Sequence, residues 1–482
     1  MSILVIDVGT SSVRAALVSA EGTVEGTKRI PLPPDIPMAG LAEFDPAAMA
    51  AAAIDLAGTV ATAATSEIEA VGVTTQRAST VAWDARTGQP HGPGLGWQDL
   101  RTAGTCLELQ AEGFRFSPSE SATKFAWHAA GLGGDDREHL RLGTIDSWIV
   151  WNLTGGESHI TDATNAGVTG LCGVPKLAWR DDALQKLGID PGWLPTIGDS
   201  TGWLGEASAL PGAPPICALV GDQQASLVGQ GCTRPGLAKA TFGTGAMLDI
   251  CLGEQGPEKP ERTGHGCFPI VAWQQAGVTT WGLEAILLTA GTVIDWLVED
   301  MQLISDAAES EAVAAQCEQT DGVVMVPALL GYGTPQWDFG ARGAFFGVTR
   351  GSNRAHLVRA VLEGVAHSGA DLLEAVENDT GLQVPSLRVD GGMSANRVFV
   401  QALADAIVRP VEVSRELEAT TLGAGYLAGL ATGAWSGPDE IAAAWAPKEI
   451  VEPSGRPSDR DRWRRATEQA ARWYPELSDI TF

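Results

Sequence analysis

Four short motifs hold residue types that phosphate chemistry needs, and each stands at the end of an apolar run. Asp7-Val8-Gly9-Thr10-Ser11-Ser12 follows Ile3 to Ile6, and Gly221-Asp222-Gln223-Gln224 follows Ile216 to Val220. Phe242-Gly243-Thr244-Gly245 follows Leu237 to Thr241, and Asp390-Gly391-Gly392 follows Leu387 to Val389. Asp222 fits two roles, a base that accepts the proton of an attacking hydroxyl or the N-cap of the next helix. Asp7 fits either a magnesium-binding acid or a turn-forming aspartate. Gly9 lets a phosphate approach the backbone, while Thr10, Ser11 and Ser12 add donors and Arg14 adds charge. Asp390-Gly391-Gly392 ahead of a helix start reads as an anion or nucleotide contact, with Asn396 in reach of a ribose or base edge, or as a tight turn. Together, four strand-end motifs of matching chemistry are hard to explain as unrelated turns.

Positioning such motifs takes strands that end at a common edge. The first motif lies between the apolar runs Ile3 to Ile6 and Val13 to Val18, which predicts a β-hairpin with a polar tip. A similar hairpin is predicted around Gly243-Thr244-Gly245, and the repeat suggests paired domains facing one ligand. Between them, Asp45 to Ala64 reads as a capped Ala-rich helix before the strand Ala70 to Thr75. Helical patterns cover Leu283 to Val298, Ala355 to Glu377 and Asn396 to Ile407. Pro31 to Pro37, Leu210 to Pro215 and the tail after Trp445 read as loops or surface helix. Helices alternating with short apolar strands predict an α/β architecture.

The chain has 482 residues, too many for one hydrophobic core, so two domains are expected, residues 1–229 and 230–482. A net charge of −27 disfavours nucleic-acid and acidic-membrane partners, although magnesium and local N–H groups can hold an anionic nucleotide in an acidic protein. Neither a basic leader nor an apolar run of spanning length is read, which predicts a cytoplasmic protein. Seven cysteines without a CxxC pair fit neither a disulfide framework nor a zinc site.

Motifs along nearly the whole chain resemble the FGGY carbohydrate kinases, and within them the glycerol kinases most closely. They are IDVGTSS at 6–12, TTQR at 74–77, WQDLRT at 97–102, GTIDSWIVWNLTGG at 143–156 and TDATNAG at 161–167. GDQQASLVGQ at 221–230, FGTG at 242–245, GTPQWDFGARGAFFG at 333–347, RVDGGMSAN at 388–396 and TTLGAGYLAGLA at 420–431 continue the series. The resemblance implies two actin-like ATPase (ribonuclease H-like) domains with an active-site cleft between them, and ATP-dependent phosphorylation of a small polyol or sugar. It makes Asp222 the catalytic base and Asp7 and Asp222 the magnesium-associated acids. Thr10, Ser11, Ser12, Arg14 and Thr244 become phosphate contacts, and Gly291, Gly392 and Asn396 nucleotide contacts. Arg77, Trp97, Asp222 and Gln223 become the polyol side. A homodimer is common in the family. A non-kinase actin-like ATPase or a sugar sensor would share the turns but has no need of WQDLRT and GDQQ.

Glycerol kinases carry a Glu, a Tyr and an aromatic residue where this chain has Ala78, Ser119 and Met247. The pocket is therefore expected to be roomier and to suit a tetritol, pentitol or ketopentose, with Arg77, Asp99 or Glu120 taking over hydroxyl recognition. True glycerol phosphorylation is the alternative. The loop Leu210 to Pro215 has no basic residue where regulated relatives place an Arg for fructose 1,6-bisphosphate, so that inhibition is not expected.

Overall fold

The computed structural model describes residues 2–257, 261–416, 418–456 and 458–480. Both predicted hairpins form. Ser2–Val8 pairs antiparallel with Ser12–Ser19, and Ala238–Phe242 with Ala246–Gly253. Each hairpin anchors one half of a 13-stranded sheet. Strands from residues 2–221 form one half and strands from residues 238–451 the other, and the halves meet at one backbone pair, Thr201 with Gln275. A hydrophobic core covers each half, and a third cluster joins the two through Val5, Val220, Cys251 and Leu427.

Parallel pairing sets the functional edge. Ser2–Val8 runs parallel to Ile68–Thr75, which runs parallel to Pro215–Gly221. Thr75 is opposite Val8 on one side and Gly221 on the other, so Asp7, Arg77 and Asp222 emerge together. In the other half Thr241 is opposite Asp390, which brings Gly243-Thr244-Gly245 beside Gly391-Gly392. Carboxyl ends of neighbouring parallel strands are where open α/β sheets bind ligands.

The Ala419–Thr432 helix crosses from the second half onto the first. It packs on the Asp222–Gly229 helix so closely that a Cβ on Gly229 would lie 1.9 Å from the Ala419 carbonyl oxygen. On Gly423 it would lie 1.8 Å from that of Ala225. The predicted Ala-rich helix is Pro46–Ala63, with Asp45 accepting from the amides of Ala47 and Ala48. Among the described residues it is the helix long and apolar enough to cross a membrane, and its Met49, Ala53 and Val60 face packs into the first core.

Three expectations are corrected. Leu283 to Leu287 belongs to the strand Val278–Leu287, and the helix starts only at Gly291. An unbroken apolar run is equally compatible with both states, and pairing with Ala246–Gly253 decides for strand. The tail after Trp445 contains Pro447–Val451, an edge strand with alternating exposure, followed by the helix Arg460–Ala470. Asp222 is not an N-cap: Gly221 holds that position, and Asp222 is the first helical residue. All seven cysteines are free, as expected, and all but Cys317 are buried.

Candidate active site

Asp222 stands at the start of the Asp222–Gly229 helix with 27% of its side chain exposed, at the mouth of a charged cluster. Its Oδ1 accepts from the Gln223 amide at 2.8 Å and lies 3.5 Å from Arg77 Nε. Burial pushes its carboxyl above the ordinary range, and Arg77 and the Gln223 amide pull the other way. A partly exposed carboxylate with raised basicity is suited to taking a proton from a hydroxyl.

Arg77 reaches both halves of the molecule. Its Nη2 donates to Glu284 Oε2 at 2.7 Å, and its Nη1 is buried without a partner. Two local features aim it. Ala78 has φ of 62° in a three-residue turn closed by Ser79 N donating to Arg77 O, a strained conformation of the kind that persists where surroundings enforce it. Gly221 leaves room for the Arg77 stem, since a Cβ there would lie 2.8 Å from Cγ and Cδ.

Asp7 is almost fully buried and pairs with Arg14 at 3.1 Å; Arg14 also holds Glu418 at 2.9 Å. Burial, with a smaller push from the Asp222 charge, raises the Asp7 carboxyl to about 6 against the pull of Arg14. Two carboxylates that feel each other in a buried cleft form a donor set suited to a hard divalent cation. Arg14 is thus engaged with carboxylates rather than free.

At the adjoining turn Gly9 N donates to Ser12 O, and Ser12 Oγ is buried with no partner. Trp97 Nε1 donates to Thr10 Oγ1 at 3.2 Å, and its backbone amide donates to Ser79 Oγ at 2.9 Å. Ser79 Oγ donates to Gln76 Oε1, and Gln76 Nε2 donates to Gly9 O. This ring ties the expected polyol-side residue Trp97 to the expected phosphate turn.

Across the cleft Gly243 N donates to Gly245 O, and Thr244 is exposed at the tip. The Gly291–Glu299 helix starts against this turn, with Gly291 N donating to Gly243 O at 2.7 Å; a Cβ on Gly291 would lie 2.6 Å from that oxygen. Gly392 is exposed at the start of the turn Gly392–Ala395. Asn396 is already engaged: its Oδ1 caps the Arg397–Ile407 helix through Phe399 N, and its Nδ2 donates to Ser310 Oγ. The expected site residues therefore fall into two groups, one at the strand ends of each half of the sheet. Asp7, Thr10–Ser12, Arg14, Arg77, Trp97, Asp222 and Gln223 form one, and Thr244, Gly291, Gly392 and Asn396 the other.

One expected acceptor contact is corrected, and a second is partly engaged. Asp99 is completely buried, and its oxygens accept from Ala42 N, Arg101 N and the Arg101 guanidinium. Glu120 accepts from Ser117 N and lies against Gly170, where a Cβ would meet its Oε2 at 2.6 Å. Asp99 is thus spent on the local fold, whereas Glu120 commits one oxygen to it.

Residues that the motifs did not point to complete the site. Glu284 holds Arg77, and buried Lys239 donates to Gln223 Oε1 at 2.8 Å. Thr164 and Asp162, which lie inside the TDATNAG motif, support them: Gly221 N donates to Thr164 Oγ1, which in turn donates to Asp162, fixing the strand end ahead of Asp222. Each of these charges interrupts an apolar strand or sits in a buried turn, and that was their signal.

The profile described as the FGGY family of carbohydrate kinases, N-terminal domain, matches residues 2–229, and the corresponding C-terminal domain profile matches 238–432. Glycerol kinase of Aromatoleum aromaticum is 39% identical over 494 residues, covering 98% of this chain and 99% of its own. That of Trichlorobacter lovleyi is 40% identical over 494 residues, with the same coverage. Among solved structures, Plasmodium falciparum glycerol kinase with ADP superposes with a TM-score of 0.88 at 28% identity, covering 100% of this chain and 99% of that one. A ligand-bound xylulose kinase from Lactobacillus acidophilus has a TM-score of 0.85 at 20% identity, with 97% and 96% covered, a likeness of fold.

Proposed function

The chain belongs to the FGGY family of carbohydrate kinases, with that family's two-domain actin-like fold, and we propose that it transfers the γ-phosphoryl group of ATP to a hydroxyl of a small polyol, Asp222 serving as base. The observation that carries this reading is the convergence of Asp7, Arg77 and Asp222 at one sheet edge, with Arg77 bonded across to Glu284 of the other half. The acceptor hydroxyl points at Asp222, which takes its proton as the oxygen attacks phosphorus. Arg77 and Gln223 orient the acceptor, and Trp97 backs it. Thr10, Ser11, Ser12 and Thr244 receive the phosphates, and Gly291 and Gly392 receive the nucleoside, with Asn396 fixing the helix start beside Gly392. Magnesium held by Asp7 and Asp222 would neutralise phosphate charge. Closure of residues 1–229 against 230–482 would exclude water from the reacting groups.

Glycerol is the first candidate acceptor, because relatives matching the full length of the chain carry that name. A second reading, an acceptor of four or five carbons, is favoured by the small or adaptable side chains of Ala78, Ser119 and Met247. The engagement of Asp99 and Glu120 elsewhere weakens it. Coupled assay of ADP release with a panel of C3 to C7 polyols and ketoses decides both points. Absence of acceptor-dependent ADP release would sink the kinase reading, and the highest kcat/KM identifies the acceptor.

A further inference from the structure

Lys239, Asp249 and Glu284 occupy directly opposed positions on three adjacent strands, Lys239 facing Asp249 and Asp249 facing Glu284. Lys239 and Asp249 have no exposed side-chain surface, an arrangement that is costly unless each charge is compensated. Lys239 Nζ lies 2.7 Å from Asp249 Oδ2, 2.8 Å from Gln223 Oε1 and 3.1 Å from Thr241 Oγ1. An ammonium group has three donors and no acceptor, so the atom of Gln223 turned toward it must be the carbonyl oxygen. A glutamine amide otherwise flips easily, exchanging donor and acceptor. Here a flip would set NH2 against NH3+.

Building on the proposed role of Gln223 at the acceptor, we infer that the buried Lys239–Asp249 pair is a specificity device that locks the Gln223 amide with its NH2 group toward the acceptor. The acceptor must then offer an oxygen lone pair at that point, from a hydroxyl or a carbonyl. Lys239 and Asp249 are positioning residues: neither side chain has exposed surface, and Asp249 acts on Gln223 through the ammonium it balances.

The double variant Lys239→Met/Asp249→Leu removes both charges together and leaves neither stranded. The acceptor KM is expected to rise about tenfold, the usual scale for one lost hydrogen bond, while the ATP KM stays within about twofold. Gln223→Glu keeps an oxygen for Lys239 but replaces the NH2 donor with a second acceptor oxygen. It too is expected to raise the acceptor KM at least about tenfold, and it carries the test alone if the double variant does not fold. In a Gln223→Ala background the double substitution should add less than about twofold, since its effect runs through Gln223. An unchanged acceptor KM in the folded double variant or in Gln223→Glu overturns the inference. So does an equal rise of both KM values, which marks general loosening. If the unmodified protein shows no polyol-dependent ADP release, the kinase reading itself fails, which is a distinct result.

Discussion

Replacing Asp222 with Asn separates chemistry from stability. The change keeps the shape of the side chain and an oxygen for the Gln223 amide, 2.8 Å away in the native protein. What disappears is the ability to take a proton, a contribution worth about 10²- to 10⁴-fold in rate. That corresponds to a barrier higher by about 3 to 5 kcal/mol. Arg77 should stay in place: at an effective dielectric of about 20, its attraction to Glu284 across 2.7 Å is on the order of 6 kcal/mol before desolvation. The pull of Asp222 across 3.5 Å is on the order of 5 kcal/mol by the same measure. Because burial dominates the upward displacement of the Asp222 pKa, charge at this position is penalised by the fold, and the neutral amide relieves that penalty. The variant should therefore melt no lower than the unmodified protein and bind magnesium-free ATP as before, yet turn over at most about 1% as fast. Acceptor-dependent ADP release, calorimetric titration with magnesium-free ATP and a thermal melt measure the three quantities. A kcat within about threefold of normal would refute the base assignment.

Glu120 provides a pH test, because burial raises its carboxyl from 4.5 to about 7, with the Ser117 amide and Lys124 opposing. The folded state then holds a proton that the unfolded state has released, so the stabilisation is complete below pH 4.5 and is lost as pH rises through about 7. Glu120→Gln should gain stability over the unmodified protein between about pH 5 and 8, by at most about 3 kcal/mol; urea melts that stay parallel across the range would contradict this. Gly391 and Gly392 should respond oppositely to alanine. Gly391 has φ of 85° and a Cβ there would lie 2.4 Å from the Phe242 carbonyl oxygen, so Gly391→Ala should cost at least about 2 kcal/mol in a chemical melt. Nothing lies within 4 Å of a Cβ on Gly392, so Gly392→Ala should fold normally and change only ATP affinity. Fructose 1,6-bisphosphate at millimolar concentration should leave turnover unchanged, since the loop at 210–215 has no basic side chain, and inhibition would contradict that.

The two hairpins and the acids at strand ends were legible because their information is local: an apolar run, a polar turn and a glycine lie within about a dozen residues. The charged platform beneath them was not, because it exists only through pairing. Glu284 meets Arg77 across 207 positions of sequence, and Lys239 meets Asp249 through the register of a hairpin. Reading Leu283 to Val298 as one helix hid Glu284, since a glutamate in a helix is unremarked whereas a glutamate inside the buried strand Val278–Leu287 demands a partner. The strand assignment changes what the residue means. Lys239 in an otherwise apolar strand sent the same signal, as did Asp249 in Ala246–Gly253. The expectation that Asp99 would bind acceptor failed for the opposite reason. It is an acid near the right motif, but a carboxylate is free for a ligand only when the fold has not already claimed its lone pairs. Asp99 has given them to Ala42 and Arg101. Arg77 keeps one buried guanidinium nitrogen unpartnered, which is why the proposed mechanism gives it, with Gln223, the orientation of the acceptor.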